Sequence, residues 1–369
     1  MTVKPSPADR AADAHFLTAA VIADPARYRR WRADKLARAR RWAAQSPVDI
    51  ADPAQLTAAE LAALRARVEA VNFALYRVGG AAAAVDHAAL KRLCRQVGLT
   101  RLATNPFSAP SGISEICVVD GVAGDATVAG ATATAATDNA GATTVAPAAT
   151  VAGTVAGAVT DADGANAGAT TVANPVAAGT VANPAARYIP YTDRALGWHT
   201  DGYYHPPQRR IRAFALHTLR AAPSGGENRL LDHEILYLLL RDRDPALAAG
   251  LFAADALTIP PGLGAGGGAR AAQTGPVFWF AAGRLQMRLT LRPRHAQWKA
   301  STRAAAAGIK AILDDPESPF VTTRRLRAGE GILCNNIPHN RAAFTRPPAG
   351  HPGRLTLRAR FYDCITIDA

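Results

Sequence analysis

The amino-acid sequence predicts an α+β fold in which a double-stranded β-helix, or jelly roll, carries flanking helices at its N-terminal side. Helix signals cluster in the first hundred residues, whereas later segments alternate apolar and polar residues with the period of two that is typical of strands. The later strands also follow one another with few intervening helices. This order favours antiparallel sheets packed face to face.

Composition narrows the class of protein. The chain has 369 residues and a formal net charge of +13, which would suit nucleic acid, an anionic membrane or small anions as partners. A composition biased toward arginine and alanine explains the same charge, and we favour that explanation. The four cysteines show no CxxC spacing, and neither a signal peptide nor a membrane-spanning apolar run is present. We therefore expect a cytoplasmic protein without a membrane partner.

Residues 1–100 are expected to form a helical region that packs on the barrel. Asp24 as N-cap and Pro25 at the first helical position predict a helix that continues to Trp42. Its basic residues alternate with aromatic ones, as in nucleic-acid-binding helices. Because these basic residues occur on all sides of the helix, we expect a solvated helix surface and no nucleic-acid partner.

Two more helices complete this region, and a strand of the next domain follows it. Thr57 and Glu60 form a capping box, and apolar residues follow at steps of three and four as far as Val78, so a helix is predicted up to the Gly79-Gly80 pair. A third helix is predicted from Asp86 to Gly98, followed by a strand over 113–119.

Residues 121–186 differ in composition from the rest of the chain. They lack aromatic residues, Leu, Ile, Lys, Arg and Glu, and they contain near-repeats of Gly-Ala-Thr-Thr-Val-Ala. Such a segment buries too little apolar surface to offset its ordering entropy, so we predict a disordered low-complexity insertion. The jelly-roll domain is then predicted to span 101–120 and 187–369. Its later strands are expected at 211–219, 277–280, 285–292, 331–335 and 354–367, with helices at 232–240 and 300–314.

The segment before residue 205 contains the first candidate for chemistry. His199 and Asp201 are two residues apart in a β-prone segment, and residues i and i+2 of a strand point to the same face. An imidazole and a carboxylate side by side provide two ligands of a 2-His-1-carboxylate metal site, which leaves open positions on iron. His339, at the end of an apolar strand, is the candidate third ligand. His205 is a rival ligand, but Pro206-Pro207 interrupts the strand directly after it.

The last predicted strand contains a second candidate. Alternation puts Arg354, Thr356 and Arg358 on one face, and this face would point into the barrel. Cationic groups inside a barrel are costly unless they meet something anionic, and arginine binds a carboxylate with two parallel hydrogen bonds. The strand therefore indicates a carboxylate-binding site.

Four segments of the chain resemble the Fe(II)/2-oxoglutarate-dependent dioxygenases of the taurine dioxygenase (TauD/TfdA-like) group. They are Trp198-His-Thr-Asp-Gly202, Gly225-Gly-Glu-Asn228, Asn336-Ile-Pro-His-Asn-Arg341 and Arg354-Leu-Thr-Leu-Arg358. The resemblance covers residues 95–120 and 187–369, outside the insertion.

The resemblance implies roles for six residues. The three metal candidates, His199, Asp201 and His339, correspond to the family's iron ligands. Arg354 corresponds to the arginine that binds the distal carboxylate of 2-oxoglutarate, Arg358 to one that faces substrate or co-substrate, and Asn228 occupies the place of a co-substrate-binding Thr. The implied activity is hydroxylation of a small organic substrate by O2, with release of succinate and CO2. Arg358 and the basic surface hint at an anionic substrate.

Two alternatives remain open at the level of sequence. One is a jelly roll without catalytic activity that binds a small carboxylate or nucleic acid. The other is a zinc hydrolase that uses His199, Asp201 and His205. Tight zinc binding and oxygen-independent turnover would distinguish the hydrolase from the oxygenase.

Overall fold

The structure is a computed structural model that describes residues 16–42, 46–80, 85–118, 185, 188–263 and 268–366. Its helices are α1 (Ala19–Ala23), α2 (Pro25–Trp42), α3 (Ala58–Val71), α4 (His87–Gln96), α5 (His233–Arg243), α6 (Pro245–Gly250) and α7 (Arg303–Asp314). Its strands are β1 (Val48–Ile50), β2 (Phe73–Val78), β3 (Ser114–Cys117), β4 (Leu196–His199), β5 (Ala213–Arg220), β6 (Asn228–Leu230), β7 (Leu257–Ile259), β8 (Gly262–Leu263), β9 (Ala269–Arg270), β10 (Gln273–Gly275), β11 (Phe278–Ala281), β12 (Arg284–Met287), β13 (Gln297–Trp298), β14 (Thr322–Arg324), β15 (Glu330–Cys334), β16 (His339–Arg341) and β17 (Leu355–Phe361).

Two β-sheets form the centre of the molecule. The larger sheet has the strand order β1-β2-β15-β5-β17-β3, and the smaller has the order β14-β6-β16-β4. The central strands of both sheets pair in antiparallel fashion. The rings of Phe214 on β5 and His339 on β16 lie 4.6 Å apart between centroids, so the sheets meet face to face. The predicted jelly roll is confirmed.

Alternation along the strands of the larger sheet decides what lies inside the barrel. On β5, Phe214 packs in the core between the sheets, whereas Ala215 packs in a second core under α3 and α4. On β17, Leu357 belongs to that second, outer core. The neighbouring side chains of Arg358 and Arg360 therefore point into the barrel, as the period of two requires.

Helix α3 begins as predicted but ends earlier. Thr57 and Glu60 form both hydrogen bonds of the capping box. Asn72 then takes a left-handed conformation with φ 61°, and Phe73–Val78 is strand β2 instead of helix. The prediction of helix as far as Val78 is wrong because this segment pairs with β1 on one side and β15 on the other. These inter-strand hydrogen bonds outweigh an apolar spacing that suits a helix.

Helix α2 is attached to the barrel by buried charges. It begins after Asp24, whose Oδ1 accepts a hydrogen bond from the Ala26 amide at 2.8 Å, as predicted. Lys35, expected on the solvated surface, is instead fully buried. Its Nζ lies 2.6 Å from carboxylate oxygens of Asp232 and Glu234 at the start of α5. The N-terminal helix is therefore joined to the barrel by a buried cation between two anions.

The strands predicted at 277–280 and 285–292 form a hairpin of β11 and β12, but β12 ends at Met287 and not at 292. Beyond that point the chain changes partner. Thr290 pairs with His199 of β4, and the Thr200 amide donates to the Leu289 carbonyl at 2.9 Å. This change of partner places residues 288–295 beside the end of β4.

The low-complexity insertion predicted at 121–186 lies outside the described residues, apart from Ala185. Within the ranges that the structure describes, no helix has the length and apolarity needed to cross a membrane.

Candidate metal centre

Two of the predicted metal ligands face each other across a strand pair. His199 ends β4, His339 begins β16, and the two residues are direct partners in the antiparallel register. Their rings lie 4.3 Å apart between centroids. Together with Asp201 they form a group whose ligand atoms all lie within 4.8 Å of one another. The structure therefore brings His339 to the His199 and Asp201 pair, which precedes it by about 140 residues in the sequence.

Backbone carbonyls orient both imidazoles. Nδ1 of His199 lies 2.9 Å from the Gly197 carbonyl, and Nδ1 of His339 lies 2.9 Å from the Ile337 carbonyl. Because a carbonyl can only accept, each Nδ1 donates a hydrogen to it, and Nε2 is left as the nitrogen that could bind a metal. Burial, followed by the nearby His199, lowers the pKa of His339 to about 3, so this imidazole is neutral at pH 7. Metal-binding histidines commonly donate the N–H of their other ring nitrogen to a carbonyl or carboxylate in this way.

Asp201 reaches the same point from a turn. β4 ends at His199, so Asp201 lies two residues beyond the strand, and our prediction that both residues lie on one strand is wrong. Asn336 holds the turn: its Oδ1 accepts from the Asp201 amide at 2.7 Å, and its Nδ2 donates to the Asp201 carbonyl at 3.0 Å. Gly202 has φ +64°, and a Cβ there would lie 2.6 Å from the side chains of His205 and Ile211. The Asp-Gly turn therefore requires its glycine.

The Asp201 carboxylate is charged in this environment. Burial alone would raise its pKa, but the cations of Arg358 and Arg360 outweigh burial and hold the pKa below its ordinary value. Arg358 Nη1 lies 3.9 Å from Asp201 Oδ1. Two imidazoles and one carboxylate thus converge, which is a donor set suited to a divalent transition metal.

A small cavity of about 50 Å³ adjoins the three ligands and is lined by Arg354, Thr356, Arg358 and Asn228. Arg354 is 8% exposed, and among the described residues no carboxylate lies within salt-bridge distance of it. Burial lowers its pKa to about 10, so it stays charged at pH 7. Asn228 is buried and makes only long hydrogen bonds of 3.5 Å to the Gly226 and Arg324 carbonyls. The cavity therefore ends in an unneutralised cation.

A second cavity, of about 440 Å³, opens on the other side of His199 and Asp201. One wall is aromatic and includes Phe107, whose ring lies 5.1 Å from that of Tyr188 and 5.6 Å from that of Tyr191 between centroids. Arg358 lines both cavities, so they meet at the candidate metal centre.

The sequence analysis missed two residues of this site. Asn336 was part of a quoted motif but had no role, and its clamp on Asp201 depends on a left-handed backbone with φ 50°. Arg360 lines the larger cavity and continues the alternation of 354, 356 and 358 by one more step, so the strand pattern contained its signal.

The rival ligand His205 is not a member of the three-residue group. Its ring packs against Tyr204 at 4.7 Å between centroids.

The jelly roll and its buried group of two histidines and one aspartate define the class of protein, a jelly-roll protein with a mononuclear metal centre. The family described as "Taurine catabolism dioxygenase TauD, TfdA family" matches residues 154–360. Because this match covers more than half of the sequence, the chain belongs to the TauD/TfdA family. No curated protein matches the chain.

Several solved structures are similar to this chain. Asparagine oxygenase (AsnO) has 15% identity and a TM-score of 0.49, over 89% of each chain. Asparagine oxygenase in complex with Fe(II), 2S,3S-3-hydroxyasparagine and succinate has 21% identity and a TM-score of 0.36, over 47% of this chain and 51% of that one. Non-heme iron oxygenase OrfP with Fe, succinate and (3S)-hydroxy-L-Arg has 21% identity and a TM-score of 0.34, over 48% of this chain and 51% of that one. The latter two matches span about half the length of the solved proteins.

Proposed function

We propose that this protein is an Fe(II)- and 2-oxoglutarate-dependent oxygenase that hydroxylates a small organic substrate. The single observation that supports this most directly is the arrangement of three metal ligands between two cavities, one of which ends in a buried cation that has no carboxylate partner among the described residues. One cavity suits a dicarboxylate co-substrate, and the other suits a substrate.

The donor set fits iron. Two imidazoles and one carboxylate leave coordination positions open for a co-substrate and oxygen. His199, Asp201 and His339 would hold the metal, and the carbonyls behind both Nδ1 atoms would fix the ring orientations. The zinc hydrolase that we considered from the sequence loses support, because it needed His205 in the ligand group.

The small cavity fits 2-oxoglutarate. The Arg354 guanidinium would bind the distal carboxylate with two parallel hydrogen bonds. This carboxylate would neutralise a buried cation that has no carboxylate partner among the described residues. Thr356 and Asn228 line the same cavity and add a hydroxyl and an amide. When bound, iron together with 2-oxoglutarate and O2 supplies the oxidising power for C–H hydroxylation, with succinate and CO2 as co-products.

The protein's own contribution is orientation and exclusion of water. His199 and Asp201 are less than a tenth exposed, and an aromatic wall covers the larger cavity. Arg358 keeps Asp201 ionised and lies where both cavities meet. A substrate in the larger cavity would therefore meet the open side of the metal in a largely dry environment.

The cytoplasm is the compartment that we propose for this activity. Cys94, Cys117, Cys334 and Cys364 are all free thiols, which supports a reducing environment.

The test is an anaerobic titration of the protein with Fe(II) and then 2-oxoglutarate, followed by the visible metal-to-ligand charge-transfer absorption. We expect the band to form in the wild type and to be lost in His199→Ala and Asp201→Ala. His351→Ala, at an exposed histidine in the loop before β17, serves as the matched control and should keep the band. Absence of the band in the wild type would overturn the proposal. A band without succinate formation from any substrate would favour the non-catalytic binder.

A further inference from the structure

The larger cavity contains more positive charge than the proposed cofactors neutralise. Four arginines line it in addition to Arg358, and Asp201 is the one carboxylate among its described lining residues. The four are Arg270, Arg292, Arg294 and Arg360. Among the described residues, no carboxylate forms a salt bridge with any of them.

Bound iron and 2-oxoglutarate would not change this balance. The two charges of Fe(II) and the one of Arg354 are cancelled by the carboxylate of Asp201 and the two carboxylates of 2-oxoglutarate. The arginines of the larger cavity therefore keep their charge in the proposed enzyme–cofactor complex. Confined cations in a partly buried cavity create a strong positive potential that attracts anions.

Arg360 makes the strongest case for a bound anion. It is 5% exposed and projects from β17 into the barrel. The Tyr204 phenol lies beside it. Burying a guanidinium is costly unless an anion meets it, and Asp201 is already committed to the metal group. Because no other carboxylate among the described residues pairs with it, a bound anion would complete the Arg360 environment.

Two further arginines are held in place by neutral partners on other walls of the cavity. Arg270 on β9 donates to the Pro260 carbonyl at 2.7 Å and to the Ala271 carbonyl at 3.3 Å. Arg292, in the segment that follows β12, lies beside the Tyr203 phenol. Such contacts fix a guanidinium in position and leave its charge available to a ligand.

The cations thus come from three separate elements: β17, β9 and the segment after β12. One carboxylate can pair with one arginine fork or two adjacent ones, but it cannot contact groups on three walls. We infer that the substrate is a small organic molecule with at least two anionic groups, and that Arg360 and Arg292 are specificity-determining residues. Its carbon skeleton would pack on the aromatic wall that includes Phe107. This inference rests on the proposed function.

The experiment measures binding to the anaerobic protein loaded with Fe(II) and saturating 2-oxoglutarate, by calorimetry and by the shift of the charge-transfer band. Three dianionic probes are compared with matched compounds that lack one anionic group: adipate with its monoamide, 4-sulfobenzoate with benzoate, and O-phosphoserine with serine. The three pairs distinguish carboxylate, sulfonate and phosphate as the second group. At least one dianion should bind about tenfold or more tightly than its partner, and this preference should weaken as salt is added.

Variants identify the residues responsible. Arg360→Gln should lower the affinity for the preferred dianion by about tenfold or more and leave the 2-oxoglutarate band intact, and Arg360→Lys should restore part of the affinity. Arg292→Gln provides a second, independent variant on another wall and should act in the same direction.

The two proposals fail in different ways. If the wild type forms no charge-transfer band, the oxygenase proposal fails. If the band forms but no dianion binds, or each dianion binds no better than its matched monoanion or neutral compound, the inference about the substrate is wrong. Equal affinity of the wild type and both glutamine variants for the preferred dianion would likewise overturn the roles of Arg360 and Arg292.

Discussion

Replacing Arg354 with glutamine should affect 2-oxoglutarate binding and apoprotein stability in opposite directions. The guanidinium is 8% exposed and has no carboxylate partner in the described part of the chain. Removing one partner of a buried, hydrogen-bonded charge pair costs about 2–5 kcal/mol. The affinity for 2-oxoglutarate should therefore fall by a factor of about 30 to several thousand, since each 1.4 kcal/mol is tenfold.

No described residue of the free protein supplies a counter-ion to the same charge, so its desolvation is not compensated by them. Arg354→Gln should leave the unfolding temperature of the metal-free protein unchanged or raise it. Affinity is measured by anaerobic titration of the charge-transfer band, and stability by thermal unfolding. The matched control is Arg346→Gln, at an exposed arginine whose Nε lies 2.7 Å from Asp193 Oδ2; it should leave the affinity unchanged. If Arg354→Gln binds 2-oxoglutarate within about threefold of the wild type, the carboxylate anchor lies elsewhere.

Three further outcomes are expected. Lys35→Met should lower the free energy of unfolding by about 3–5 kcal/mol in urea titrations, because it leaves two buried carboxylates without their cation. The exposed control Lys310→Met should change the free energy of unfolding by less than about 1 kcal/mol. Burial lowers the pKa of His217 to about 4, so its stabilising contribution is complete above the unfolded pKa of about 6.5 and is lost as pH falls toward 4. His217→Gln should therefore lose about 3 kcal/mol less stability than the wild type over this range, and equal losses would contradict the assignment. Asn336→Ala should weaken metal binding about 10- to 100-fold in Co(II) titrations by releasing Asp201, and unchanged affinity would show that the turn holds without it.

Local signals in the sequence were sufficient for much of the fold. The capping box of Thr57 and Glu60, the Asp24 cap and the start of α5 after Asp232 all lie where predicted, because each depends on hydrogen bonds within a few residues. The predicted end of α3 was wrong, because the position where the helix gives way to β2 depends on pairing with β15, a strand far away in the sequence. Long-range pairing decides such boundaries, and one sequence does not display it.

The candidate site was predicted in its residue types more accurately than in its geometry. His199, Asp201 and His339 do come together, but Asp201 is placed by a turn and a clamp from Asn336 instead of by strand alternation. Arg360 continues the alternation that identified Arg354. Its proposed role in binding depends on its being buried without a salt-bridge partner among the described residues, and this can be seen only in the folded structure. The spatial relation between charges was the missing information.

The direct pairing of His199 with His339 has a consequence for how the protein acquires its metal. A slip of one residue between β4 and β16 would turn one imidazole to the opposite face of the sheet and separate the ligands. Tight metal binding therefore reports that two strands from distant parts of the chain have closed in the correct register. A ligand that binds only the native state stabilises it by mass action. Metal binding would therefore stabilise molecules with the correct strand register against proteolysis, whereas molecules with a shifted register would stay sensitive to it.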